Sequence, residues 1–188
     1  IEQMDFCSYF LITWDIVRYA QNAGYHHVGR GSGANSIVAY CLGITDVEPL
    51  ELDLYFERFI NPQRSSPPDF DIDFSWKDRD DITEYIFDRF PNTALLATYN
   101  TFQYKAVVRE LGKVFGLPKA EIDKLSEGRF EANKLDNLSQ LVLRYGSLIQ
   151  GFPSHLSIHS CGILISDSPL QNYTATFMPP KGFPTTQF

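Results

Sequence analysis

The run Pro67-Pro68-Asp69-Phe70-Asp71-Ile72-Asp73-Phe74 constrains the fold more than any other stretch of the chain. Side chains on a β-strand alternate with period two. As a strand, the run therefore carries Asp69, Asp71 and Asp73 on one face and Phe70, Ile72 and Phe74 on the other. The apolar face requires a core beneath it. The acidic face holds carboxylates at same-side spacings of roughly 6–7 Å, which repel one another unless cations meet them. Oxygen-only ligands of this kind suit Mg2+, Mn2+ or Ca2+. The same face also suits the solvated side of an edge strand, where charge deters aggregation. The strand alone leaves both readings open.

Upstream lies Gly29-Arg30-Gly31-Ser32-Gly33, between a short strand expected over residues 25–28 and a helix expected over 34–42 that Gly43 ends. Strand, glycine-rich turn and helix together gather unpaired backbone N–H groups and a positive helix end at one spot, which makes an anion site. Ser32 adds a hydroxyl there. Two other readings compete: a purely structural turn, and the G-x-G-x-x-G/A pattern of dinucleotide-binding folds, which Gly29, Gly31 and Ala34 satisfy. Against the dinucleotide reading, the preceding strand is short and follows a helix. Glu48 and Glu51, near the ribose-binding distance, lie in a Pro-containing loop. No Gly-Lys-Ser/Thr stands in the chain, which excludes a Walker A loop. An anion-binding turn paired with a same-face carboxylate cluster suggests a metal–triphosphate site. There, two divalent ions roughly 3.5–4 Å apart assist phosphoryl or nucleotidyl transfer, and positioning and charge neutralisation supply most of the catalysis.

The rest of the chain reads as α/β (α+β). Helices are expected over 8–22, 52–59 and 78–90, a strand over 94–98, helices over 104–115, 119–125 and 138–148, a strand over 162–166, and the start of another at 185–188. The segment 101–150 lacks strand signals and reads as a helical lobe inserted in an α/β domain. At 188 residues with 44% hydrophobic content, the chain is long enough for a real core. No stretch approaches ~18 apolar residues, and the N-terminus has no signal-peptide pattern. The first residue is Ile1 rather than Met, as expected of an excised fragment. Cys7, Cys41 and Cys161 are widely spaced, which fits a reduced, cytoplasmic protein.

The net charge of −7 argues against a generic nucleic-acid coat. Residues 101–150 nevertheless carry eight Lys/Arg against six Asp/Glu, while the remainder carries eight against seventeen. Within the lobe, Lys105, Arg109 and Lys113 share one helical face. His26 and His27 are adjacent and so point to opposite sides of a strand. His155 and His159 have a ligand spacing only on a helix, and Gly151-Phe152-Pro153 before them predicts a loop.

Several of these motifs, taken in order, carry a family resemblance. Gly29-Arg30-Gly31-Ser32-Gly33-Ala34-Asn35-Ser36, Val38-Ala39-Tyr40 and Leu42-Gly43-Ile44-Thr45-Asp46 resemble the alpha subunits of bacterial DNA polymerase III, the C-family polymerases. So does Leu54-Tyr55-Phe56-Glu57-Arg58-Phe59-Ile60-Asn61-Pro62, running into the acidic strand. The match continues through Arg79-Asp80, Lys105-Ala106-Val107-Val108-Arg109, Gly112-Lys113-Val114-Phe115-Gly116-Leu117-Pro118 and His159-Ser160-Cys161-Gly162-Ile163-Leu164-Ile165-Ser166. It covers essentially the whole chain and is weakest from about Ser126 to Gln150.

The resemblance implies a palm of the polymerase-β-like nucleotidyltransferase type over 1–100 and 151–188, with 101–150 as a helical thumb insertion. It implies Asp69 and Asp71 as two of three catalytic, metal-binding aspartates, with Asp73 supporting, and Mg2+ (two ions, Mn2+ possible) as cofactor. Gly31 and Ser32 match the Gly-Ser pair on the incoming dNTP phosphates, with Arg30, Arg58 and Arg64 as further phosphate or metal-shell partners. Lys105, Arg109 and Lys113 would meet the DNA backbone of a template–primer. In the full-length parent, a sliding clamp and other replisome subunits would be partners, and no membrane is involved. The family's third aspartate follows the Thr-Gln-Phe motif matched by Thr186-Gln187-Phe188, beyond residue 188, so the chain by itself is expected to bind metal weakly and not to polymerise. A dinucleotide-binding oxidoreductase domain and a non-catalytic nucleic-acid-binding module remain the alternatives.

Overall fold

The computed structural model describes residues 1–187, the side chain of Cys161 excepted. Phe188, the last residue of the matched Thr-Gln-Phe motif, and the Cys161 side chain lie outside the described residues. Two compact units divide the chain, one over Ile1–Pro91 and one from Asn92 onward. Helices and sheets are mixed in it, as expected of an α+β chain.

In the first unit, helix α1 (Cys7–Asn22) buries Phe10, Thr13, Val17 and Ala20, one stripe at spacings of three and four. Gly24 follows it at φ +78°, where a residue without Cβ turns the chain away. Strand β1 is His27–Arg30, two residues later than expected. Gly29 and Arg30 therefore belong to the strand rather than to the turn. The shift has a local cause: a Cβ at Gly29 would run into the Ile44 carbonyl, and the buried Thr45 hydroxyl donates to the Gly29 carbonyl at 2.9 Å.

The helix expected over 34–42 is instead a 3-10 turn (Ser32–Asn35) followed by the five-residue α2 (Ile37–Cys41). Ser36 breaks the two apart in extended conformation and caps α2 by accepting from the Ala39 amide at 3.3 Å. Likewise the helix expected over 52–59 is reduced to α3 (Phe56–Phe59), behind a turn with Asp53 at φ +48°.

Strand β2 (Asp71–Phe74) pairs antiparallel with β1. Its predicted alternation holds: Asp69, Asp71 and Asp73 are exposed, and Phe70, Ile72 and Phe74 are turned inward. Phe70 and Ile72 pack on a buried cluster of Phe6, Phe10, Ala39, Ile44 and Phe59, so the acidic strand lies on the core it requires. Helix α4 (Arg79–Arg89) buries Ile82, Thr83 and Ile86. Tyr85 on α4 stacks on Tyr19 of α1 with centroids 3.8 Å apart.

The second unit is built on β3 (Thr93–Thr101). It pairs antiparallel with β4 (Pro153–Ile165) and parallel with β6 (Thr185–Thr186), which in turn pairs antiparallel with β5 (Thr176–Phe177), giving the order β4-β3-β6-β5. The histidine segment is thus strand, not loop. Pro153 lacks an N–H, but it starts β4 on the sheet edge, where none is required. Between the paired β3 and β4 the chain makes α5 (Tyr104–Val114), α6 (Lys119–Ser126) and α7 (Asn137–Ile149). Val108, Leu117, Ile122, Leu125 and Val142 form their core. Asp136 caps α7 by accepting from the Ser139 amide at 2.9 Å, and the Ser139 side chain first, then this amide, hold its carboxyl below the usual aspartate range.

Candidate active site

The β1–β2 register sets Arg30 opposite Asp71 and Val28 opposite Asp73. The glycine turn therefore leaves β1 directly beside the point where the acidic run enters β2. Two close approaches join them. Gly31 sits at φ 92°, ψ −175°, and a Cβ there would lie 2.5 Å from the Asp69 carbonyl oxygen and 3.0 Å from its Oδ2. A Cβ on Gly33 would clash with the Phe70 ring. With both positions bare, the Gly33 amide donates to the Asp69 carbonyl at 2.9 Å.

Ser32, almost fully buried, sits at the centre of this junction. Its hydroxyl donates to Asp69 Oδ1 and accepts from the Asp69 amide at 3.2 Å and from Arg64 Nη2 at 3.2 Å. The Ser32 hydrogen bond holds the Asp69 carboxyl below the usual aspartate range; partial burial opposes it, and backbone hydrogen bonds and the Arg64 charge add to it.

The arginines divide. Arg30 grips Asp73 in bidentate fashion through Nε and Nη2 (3.1 Å for the latter), and its Nη1 lies 3.5 Å from Asp71 Oδ2. That fork lowers the Asp73 carboxyl below its ordinary value. Asp73 is thereby engaged by a cation already, whereas Asp71 is only neighboured by one. Arg64 has five N–H donors, and all five meet oxygen within the chain. Nε reaches Ser66 O at 2.9 Å, Nη1 reaches Arg58 O and Phe59 O at 3.0 and 3.1 Å, and Nη2 reaches Pro67 O and Ser32 Oγ at 3.2 Å. Its side chain is 19% exposed and 3.7 Å from Asp69 Oδ1. Arg64 is thus a clasp on the 58–67 loop. Arg58 contributes its carbonyl to that clasp, while its side chain is exposed and forms no ion pair among the described residues.

The turn is a less open anion site than its sequence suggests. The Gly33 amide donates to the Asp69 carbonyl, and the Ala34 and Ser36 amides donate within the turn to Gly31 O and Gly33 O. A five-residue α2 also carries little of the dipole that a longer helix would bring. The arginine adjoining the turn, Arg30, already has its charge engaged by Asp73 and Asp71.

Asp69 and Asp71 keep 62% and 52% of their side chains exposed and offer only oxygen, the donor set of a hard divalent cation. A pair of carboxylates with open positions fits such an ion. Among the described residues no three His, Cys, Asp or Glu side chains gather as a metal site. One residue of this neighbourhood carried no signal in the sequence: Tyr9, on α1. Its hydroxyl accepts from the Phe70 amide at 3.2 Å and its ring stacks on Phe70 at 5.5 Å. Burial, then the Asp69 and Asp71 charges, raise its phenol above the usual value, against the Phe70 hydrogen bond and Arg64.

Lys105, Arg109 and Lys113 belong to the second unit, all exposed on α5, with Lys113 also paired to Glu110 at 2.8 Å. His26 is exposed, and His27 Nε2 lies 3.2 Å from the Gly43 carbonyl. Cys7 and Cys41 are free thiols. No helix among the described residues is long and apolar enough to cross a membrane. The dinucleotide reading fails on topology, since β1 pairs antiparallel with β2 and starts no parallel βαβ unit.

Comparison with known proteins supplies the family. The model of the bacterial DNA polymerase III alpha NTPase domain matches residues 1–188. DNA polymerase III subunit alpha of Bacillus subtilis is 37% identical over 209 residues, covering 100% of this chain and 19% of that protein. The corresponding subunit of Borreliella burgdorferi is 37% identical over 206 residues, covering 98% of this chain and 18% of that protein. An error-prone DNA polymerase of Symbiobacterium thermophilum is 36% identical over 209 residues, with 100% and 19% covered. The chain spans about a fifth of the length of these curated relatives. It belongs to the bacterial DNA polymerase III alpha family.

Proposed function

We propose that the chain is the palm and thumb portion of a DNA-directed DNA polymerase, which transfers a nucleotide from a dNTP to a primer 3′-hydroxyl. The observation that carries this reading is one junction: the β1–β2 register sets Arg30 against Asp71, and the hydrogen bonds of the turn set Ser32 and Gly33 against Asp69. In it, residues 1–100 and 151–188 are palm of the polymerase-β-like type and 101–150 the thumb insertion. The emergence of α5–α7 between two paired strands supports an insertion there.

Each residue has a distinct part. Asp69 and Asp71 are the two carboxylates that would hold divalent cations, Mg2+ or Mn2+. Bound there, such ions supply activation of the attacking oxygen and neutralisation of phosphate charge. Ser32 keeps Asp69 ionised and oriented, and Arg64 holds Ser32 in place. Arg30 stands where it can turn from Asp71 and Asp73 toward a triphosphate, with Gly31 allowing close approach of backbone to phosphate. Arg58, exposed on α3, can reach phosphate only from the rim, and Asp73 serves as the resting partner of Arg30. Lys105, Arg109 and Lys113 would contact template–primer backbone independently of sequence. In the full-length parent, the sliding clamp and other replisome subunits complete a cytoplasmic assembly.

Mn2+ titration of the 15N-labelled chain tests the site. Paramagnetic broadening should begin at the amides of residues 69–71 and be lost in Asp71→Asn. Broadening that starts elsewhere, or survives that change, refutes the assignment. We further propose that this chain alone does not extend a template–primer, and robust extension refutes that part.

A further inference from the structure

Asp69 precedes the first ladder residue of β2, so strand pairing does not set its position. Hydrogen bonds from two distant segments set it instead. The Asp69 amide donates to Ser32 Oγ at 3.2 Å, the Asp69 carbonyl accepts from Gly33, and the Phe70 amide donates to Tyr9 Oη at 3.2 Å. From Asp71 the ladder with Arg30 takes over. Two peptide N–H groups lie between the two candidate ligands, those of Phe70 and Asp71, and the acceptor for the Phe70 one is a side chain 61 residues away on α1. The Phe70 ring is held as firmly as its amide. Tyr9 stacks on it with planes 29° apart, and Phe10 meets it edge-on at 5.0 Å.

We propose that Tyr9 is a positioning residue for the Asp69–Asp71 pair, its phenol oxygen fixing the Phe70 peptide and thereby the separation at which the two carboxylates meet a divalent cation. The inference rests on the metal-site reading of those aspartates. A purely structural tyrosine would stabilise the unit and leave metal affinity alone, and this separates the two roles. Tyr9→Phe keeps both ring contacts and removes only the acceptor.

The test compares the wild-type chain, Tyr9→Phe and Tyr19→Phe, each 15N-labelled and titrated with MnCl2. Tyr19 lies on the same helix, and its hydroxyl donates to Asp81 at 2.9 Å, remote from Asp69 in the hydrogen-bond network. In Tyr9→Phe, the Phe70 amide should exchange with solvent about tenfold faster. Its Mn2+ affinity should fall roughly three- to tenfold, the worth of one net hydrogen bond. Tyr19→Phe should keep wild-type affinity even where its thermal midpoint falls as far. Unchanged affinity in Tyr9→Phe, or an equal loss in Tyr19→Phe, overturns the inference and leaves the site standing. A wild-type chain showing no Mn2+ broadening at residues 69–71 overturns the site reading and the inference together.

Discussion

Gly31→Ala should be far more damaging than its size suggests, through two separable costs. At φ 92° and ψ −175° the backbone occupies a region that only glycine visits freely, and a side chain there costs about 1–3 kcal/mol. The added methyl would also stand 2.5 Å from the Asp69 carbonyl oxygen, against backbone that the Gly33 amide holds at 2.9 Å. Such overpacking costs about 1–3 kcal/mol more, for a total of about 2–6 kcal/mol. Gly24→Ala is the internal control. Its φ is also positive, at +78°, but a Cβ there meets nothing within 4 Å, so only the left-handed backbone cost of about 1 kcal/mol applies. Both tryptophans, Trp14 and Trp76, lie in the first unit, so fluorescence in urea reports this unit. With a slope of about 2 kcal/mol per molar urea, the midpoint should drop by about 1–3 M in Gly31→Ala and about 0.5 M in Gly24→Ala. A Gly31→Ala midpoint no lower than that of Gly24→Ala would refute the close approach of the turn to Asp69.

Two further outcomes follow from charge. Asp69 and Asp73 both have folded-state values below the ordinary one, held there by Ser32 and Arg30 respectively. Their contribution to stability is present above the unfolded aspartate value and is lost as pH falls through the folded ones. Arg30→Ala should therefore flatten the acid limb of stability against pH, read by urea midpoints from about pH 5 down to about pH 2, and an unaltered limb would refute the pairing. Replacing Lys105, Arg109 and Lys113 by Gln should lower the slope of log K against log salt for template–primer binding by up to about 2.7, at ~0.9 per phosphate contact. An unchanged slope in fluorescence anisotropy would remove α5 from the DNA-binding face.

The elements legible in the sequence were those whose signals are local. Helices α1, α4, α5, α6 and α7 lie within two residues of expectation. So does the Asp/apolar alternation of the 69–74 run, because period two is a property of the strand itself. What could not be read depended on distant partners. β1 slides two residues along because Ile44 and Thr45 dock against Gly29. The 34–42 helix shortens because the turn is held down by Asp69 and Phe70. Arg64 has the composition of a phosphate ligand and the geometry of a loop clasp, a distinction made only by five carbonyl and hydroxyl oxygens folding around it. Tyr9 carried no signal at all, since a tyrosine beside a core phenylalanine on a helix reads as packing.

The strand pair also explains how a short, exposed ladder can hold a register that chemistry depends on. A slip of one residue between β1 and β2 would turn Asp71 inward and Ile72 outward, and a four-residue ladder is weak protection against slippage. The register is fixed instead from outside the ladder. Phe70 is wedged between Tyr9 and Phe10 and roofed by bare Gly33. Asp69 is tied at its amide, carbonyl and carboxylate to Ser32 and Gly33. Because the same turn supplies those ties and the Gly-Ser pair, any movement of the turn moves Asp69 with it. Under the nucleotidyl-transfer reading, a nucleotide phosphate pressing on Gly31 and Ser32 would thus be felt directly at a metal ligand, and the two half-sites act as one mechanical piece.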